Sequence, residues 1–313
     1  MSPAVPRPGR RWAPALNALL FLLTGATTLL AGAGMVPLAQ AGLDVRGVVE
    51  AGLPFAASLV GILLAHEMGH YVLARGWRVD TTLPYFIPVP FGIGTLGALI
   101  RIRSPIPTRA AEIDIGVAGP IAGLVVAVPL YAWGLAHSEV RAVGEVATSN
   151  AGSPWAILTA WIQGQPIAAG AGDVQLMGDS LVTWLVGRAV WGALPAGQDV
   201  MLHPVAFAAW LGLFVTALNL IPLGQLDGGH ALYGLLGGRR ALALSRLTSA
   251  GLLLAGIFLS WNWLVWWAIT RFAVRLGHPP ALDESPPPPG RRALAVVALL
   301  LFAATFIPVP MQL

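Results

Sequence analysis

The stretch GILLAHEMGHYVLARG, residues 61–76, sets His66, Glu67 and His70 inside an almost continuous apolar run. A titratable side chain at membrane depth costs several kcal/mol and by default marks a functional site. On a helix the two histidines, four residues apart, share one face one turn apart. This is the spacing with which two imidazoles grip one zinc ion, and it leaves Glu67 placed to act on a water activated there. Two ligands are too few, so a third must come from another helix at similar depth.

The inventory for that third ligand is short. The chain has no cysteine, which excludes thiolate sites and disulfides, and only 14 acids, most of them in loops. After Glu67 the glutamates are Glu112, Glu139, Glu145 and Glu284, none expected within an apolar span. Asp227 differs. It lies in NLIPLGQLDGGH, residues 219–230, where Pro222 interrupts an apolar run. If that run and the one carrying the histidines both run inward, Asp227, His66 and His70 fall near the same end. Asn219 has two readings: a donor to developing oxyanion charge, or a cap beside Pro222. His230 is read as a helix-end residue and Asp114 as an interfacial one. Gly119 and Gly123, a small-x-x-x-small face, are read as letting helices approach closely.

The elements that must position these residues are membrane elements. The 313 residues are 56% hydrophobic and 10% charged, whereas soluble domains run near one quarter charged. Seven apolar stretches, about 14–36, 52–74, 112–135, 204–221, 243–259, 262–276 and 291–308, predict an all-α multi-pass protein. All 18 basic residues are arginine. They are scattered between apolar runs, which argues for topology signals and against a nucleic-acid partner. With the N-terminus cytoplasmic, Arg46, Arg141 and Arg188 face outward and the other 15 of the 18 face inward, as the positive-inside tendency requires. Merging the fifth and sixth stretches into one tilted helix would break that pattern. Arg7, Arg10, Arg11 and AQA at 39–41 resemble a secretory leader, but the apolar region between them is longer than the usual 7–15 residues, and the first helix is expected to be retained.

Residues 80–104 are apolar yet broken by Pro84, Pro88, Pro90 and several glycines, and GALIRIR alternates as a strand does. A small re-entrant β-hairpin is expected there, since non-helical backbone at membrane depth survives only when protein or a water-filled cavity covers it. SPWAILTAWIQG and DSLVTWLVGRAVWG, within the external stretch 136–203, read as interfacial helices. ESPPPPGRR reads as a stiff spacer. The organisation is thus a tail and first helix (1–50), a catalytic core (51–276), a Pro-rich cytoplasmic linker (277–290) and a last helix (291–313).

HExxH in one membrane helix followed about 150 residues later by N-x-x-P-x-x-x-L-D-G in another resembles the site-2 protease family of intramembrane zinc metalloproteases, over about residues 50–275. GTLGALIRIRSP and AGPIAG are similar to its bacterial and plastid members. The resemblance implies that His66, His70 and Asp227 bind one zinc ion per chain, that Glu67 is the catalytic base, and that Asn219 positions water or peptide. It implies a transmembrane protein substrate in a lipid bilayer, in a cell (inner) membrane. No PDZ-like insertion or CBS pair is visible, so how substrates are selected stays open. The open edge at Gly97, Ala98 and Leu99 is the expected substrate-binding strand. The competing reading is a transporter that moves protons or metal through the same cluster.

Overall fold

The computed structural model describes residues 13–35, 44–142, 152–165, 176–274 and 276–312. Arg7, Arg10, Arg11 and the AQA stretch, on which the leader-like reading rests, lie outside the described residues, as does Arg275.

Helices α1 (Ala13–Ala33) and α2 (Val45–Gly76) pack against each other where Gly32 meets Gly52, so that a Cβ on Gly32 would stand 2.8 Å from the Gly52 carbonyl. The expected second span, 52–74, is extended toward its N-terminus because Asp44 caps it, accepting the Gly47 N–H at 3.0 Å, and Arg46 pairs with Glu50 one turn on. At 32 residues, α2 is about 48 Å long.

The expected hairpin forms from β1 (Tyr85–Pro88) and β2 (Thr95–Leu99), with Tyr85 opposite Leu99, Phe86 opposite Ala98 and Pro88 opposite Thr95. The register slips between Phe86 and Pro88, where Gly97 at φ 101° takes a backbone that L side chains resist. The hairpin's loop and the residues leading into β1 are stitched to α1. Asn17 donates to the carbonyls of Leu83 (3.0 Å) and Pro84 (2.8 Å), and Thr27 to that of Gly94 (2.7 Å).

Helix α3 (Arg109–Ala136) starts at Thr108, whose side chain accepts the Ala111 N–H. The segment after it is framed by β3 (Glu139–Ala142), α4 (Pro154–Ile162), β4 (Leu176–Met177), α5 (Leu181–Trp191) and β5 (Gln198–Met201), with β3 pairing β5. Both helices expected in this stretch are present, each capped by a serine, Ser153 and Ser180.

Helix α6 (Pro204–Asn219) ends two residues before Ile221–Pro222, and α7 (Asp227–Leu236) restarts with Asp227 in its first turn, where a carboxylate suits the helix dipole. Helices α8 (Gly238–Phe258) and α9 (Trp261–Ala273) are separate, because Ser260 caps the second by accepting the Asn262 N–H. The single tilted helix is therefore excluded. Helix α10 (Pro289–Thr305) follows, and β6 (Met311–Gln312) returns to pair with β4.

Among the described residues, four helices are long and apolar enough to cross a membrane: Pro14–Ala33, Val45–Gly76, Arg109–Ala136 and Gly238–Phe258. The other three stretches expected as spans form the shorter helices α6, α9 and α10. Prolines and caps shorten the other apolar runs, so that α6 has 16 residues, α9 has 13 and α10 has 17, which is about 20–26 Å against a hydrocarbon layer of about 30 Å.

The main core joins Phe55, Leu59 and Ile62 of α2 to Ala127 and Tyr131 of α3 and to Trp210 and Leu213 of α6. The linker is not a free spacer over its first half. Leu282 and Asp283 donate to the carbonyls of Ile106 and Pro107, Ala281 donates to the Tyr233 hydroxyl, and the His278 ring stacks on Tyr233 at 4.4 Å. Burial, and then the neighbouring His230, pushes the His278 pKa down to about 4, so this ring is neutral at pH 7.

Asp114 is buried in the first turns of α3 rather than interfacial. It accepts the Trp77 indole N–H at 3.1 Å and pairs with Arg291 at 2.7 Å, tying the end of α2 and the start of α10 to α3. Asp114→Ala leaves the indole donor unpaired and is expected to cost about 1–3 kcal/mol, seen as a lower apparent Tm of the detergent-solubilised chain. An unchanged Tm would show that this junction does not hold the three helices.

Candidate metal centre

His66, Glu67 and His70 lie on the inner face of α2, with 3%, 6% and 6% of their surface exposed. The fold brings Asp227, at the start of α7, to the same point. Its Oδ2 is 3.2 Å from His66 Nε2 and 3.3 Å from His70 Nε2, and the two Nε2 atoms are 3.2 Å apart. Donors arranged tetrahedrally about 2.0–2.1 Å from zinc stand about 3.3–3.4 Å from one another. The observed triangle therefore fits a zinc ion, and the donor set, two imidazoles and a carboxylate, suits that metal.

Orientation supports the same reading. His70 Nδ1 donates to the Ile115 carbonyl at 2.7 Å, which fixes the tautomer and leaves Nε2 with a lone pair toward the triangle. A carbonyl behind a metal-binding histidine is a common device. Asn219, the last residue of α6, brings Nδ2 to 3.2 Å from His66 Nε2. Glu67 faces the hairpin, with the Ile100 backbone just after β2 close to its carboxyl group.

This site exists because α3 passes directly over the imidazoles. A Cβ at Gly119 would run into the His70 ring, and one at Gly123 would stand 3.3 Å from His66 Nδ1. From α2, a Cβ at Gly69 would stand 2.8 Å from the Ala118 carbonyl carbon. The close approach expected of Gly119 and Gly123 is present, and what they approach is the histidine pair itself.

Sequence reasoning missed the Ile115 carbonyl, which carries no residue-type signal, and Glu112. That glutamate, assigned outside the apolar spans, is buried within the first turn of α3, 2.7 Å from His230 Nδ1. AGPIAG held a legible trace of the glycine approach.

The sequence profile of Peptidase family M50 matches residues 54–262, a stretch containing all five clustered residues. The chain belongs to that family. It is 33% identical over 267 residues to a protein of Arabidopsis thaliana named probable zinc metalloprotease EGY1, chloroplastic, covering 83% of this chain and 44% of that one. To the Arabidopsis protein named probable zinc metalloprotease EGY2, chloroplastic, it is 27% identical over 264 residues, 84% of this chain and 42% of the other. The chain thus spans less than half the length of these relatives. No solved structure matches it.

Gly119→Ala is expected to displace His70 and lower zinc retention at the His66–His70–Asp227 site after dialysis at least tenfold. Gly25→Ala, where an added Cβ meets nothing within 4 Å, is the matched control. Equal zinc in both variants would mean that His70 is not held by this contact.

Proposed function

We propose that the chain is a zinc endopeptidase that hydrolyses peptide bonds within or next to membrane-spanning segments of protein substrates. The observation that carries this reading is the triangle of His66, His70 and Asp227 donors, buried beside a carboxylate that is not part of it. Ion passage needs no such spare base, and membership of a peptidase family leaves the transporter reading without support.

His66, His70 and Asp227 would hold a zinc ion, which when bound would supply Lewis acidity toward the scissile carbonyl and acidity to the attacking water. Glu67 takes the proton of that water on its carboxylate and delivers it to the leaving amine. Asn219 directs its amide hydrogens toward charge developing on the carbonyl oxygen, and its approach to His66 favours this over a purely capping role. Bringing these groups into one buried site also excludes bulk water, which strengthens each of them.

A helical substrate hides its carbonyls in i→i−4 bonds and must unwind first. Its freed backbone then needs partners, or each lost bond costs several kcal/mol. Among the described residues no strand covers the second edge of β2. Gly97, Ala98 and Leu99 there offer an edge to an extended peptide, as in β-strand addition. The closeness of the Ile100 backbone to Glu67 supports an edge lying beside the base. A re-entrant hairpin, a cell (inner) membrane and a cytoplasmic N-terminus complete the reading. The arginine distribution supports the orientation, and α6, α9 and α10 are the shorter apolar helices that would bring the crossings to seven.

Glu67→Gln should abolish cleavage of a transmembrane substrate while zinc at this site is retained, and Asp227→Ala should lose both. Zinc bound here at wild-type affinity by Asp227→Ala would remove the third ligand from the scheme. The strand is tested separately. Successive residues of a strand point their N–H groups to opposite edges, so proline at Ala98 or at Leu99 removes one donor from the open edge. One of these two variants should keep its zinc and its fold yet lose most cleavage. Normal cleavage by both would mean that the substrate pairs elsewhere.

A further inference from the structure

A second cluster of potential ligands lies one helical turn from the first. Glu112 of α3, His230 of α7 and His278 of the linker bring one donor atom each to a common point. Glu112 Oε2 stands 2.7 Å from His230 Nδ1, His278 Nε2 stands 2.9 Å from the same nitrogen, and Oε2 and Nε2 are 3.6 Å apart. The geometry points to a second divalent transition-metal site at Glu112, His230 and His278, binding an ion of the zinc class.

Hydrogen bonding within the cluster does not satisfy it. His278 Nδ1 donates to the Pro279 carbonyl at 2.7 Å, so in the neutral ring Nε2 carries only a lone pair. His230 Nδ1 holds at most one hydrogen and faces two acceptors. Whichever it serves, the other acceptor meets no hydrogen, although the His278 and Glu112 side chains are only 5% and 2% exposed. Buried lone pairs left this way are unfavourable, whereas a cation accepts all three donors at once. The three spacings bracket the roughly 3.3 Å edge of a tetrahedral site, and imidazole nitrogens select zinc-like ions over magnesium or calcium.

The design repeats that of the first triangle. In each, a histidine is oriented by a backbone carbonyl behind its other nitrogen, Ile115 for His70 and Pro279 for His278. Glu112 is one turn before Ile115 on α3, and His230 is one turn after Asp227 on α7. The second ion would therefore lie about 5 Å further along both helices, pinning α3 to α7 and the linker to both. Gly116 permits the approach, since a Cβ there would stand 3.2 Å from the Asp227 carbonyl oxygen and against His230. The ion is structural, with water completing its shell, and it braces the helix that presents Asp227.

The test is a zinc count on the full chain in detergent, stripped with a chelator, returned to low-micromolar free Zn2+ and measured by elemental mass spectrometry. Wild type and Glu67→Gln should hold two ions. His278→Phe, which keeps an aromatic ring on Tyr233 but cannot ligate, should hold one and retain the wild-type circular dichroism spectrum. Asp227→Ala should hold one, and the double variant none. A single zinc in the wild-type chain, or two in His278→Phe, overturns the second site whether or not any variant folds poorly. Two zinc ions in Asp227→Ala with one in His278→Phe would instead sink the third ligand of the first site and leave this one standing.

Discussion

The fold rests on how closely two long helices approach across a pair of imidazoles. Helix α3 crosses the histidine face of α2 where it carries Gly119 and Gly123, and α2 answers with Gly69, so that hydrogen atoms stand where side chains would otherwise hold the helices apart. Between lipid-exposed helices there is little hydrophobic drive to association, and close packing of small residues replaces it. The contact also delivers the Ile115 carbonyl to His70. Helix packing and imidazole orientation are therefore the same event, and a side chain that loosened the first would misalign the second.

A related constraint governs the backbone outside the helices. The hairpin and the break between α6 and α7 expose peptide groups that helices would pair internally. Asn17 and Thr27 of α1 supply donors to the hairpin segment, and Ser245 of α8 accepts the Gly224 N–H at 3.2 Å. Asn17 and Thr27 within the first apolar run are thus explained by what they satisfy. Trp210 and Trp263 act likewise, burying large rings while their indoles reach the carbonyls of Gly178 and Pro308, the combination that suits tryptophan in a core.

What could be read from the sequence was what depends on short spacing or on scarcity. His66, Glu67 and His70 stand out because four residues make one helical turn, and Asp227 because so few acids lie beside an interrupted apolar run. The hairpin was legible from its prolines and alternation, and the break between α8 and α9 from the arginines. The lengths of the individual helices were less legible, because hydropathy does not register the residue at which a cap such as Ser260 begins a helix. The partners of Glu112 were not legible, since it meets His230 across 118 positions, with His278 a further 48 along the chain. Such meetings are set by tertiary packing, and the linker that completes them looks like a solvated spacer when read by composition alone.

The position of the histidines along α2 has a consequence for products. His66 and His70 lie ten and six residues before the end of the helix at Gly76, or about 9–15 Å from it, on a helix longer than the layer it would cross. On the proposed reading, hydrolysis divides a spanning substrate unequally. The long remnant keeps most of its apolar length and stays anchored. The short one keeps too few apolar residues to hold in the bilayer, and whatever domain is attached to it departs into the aqueous phase.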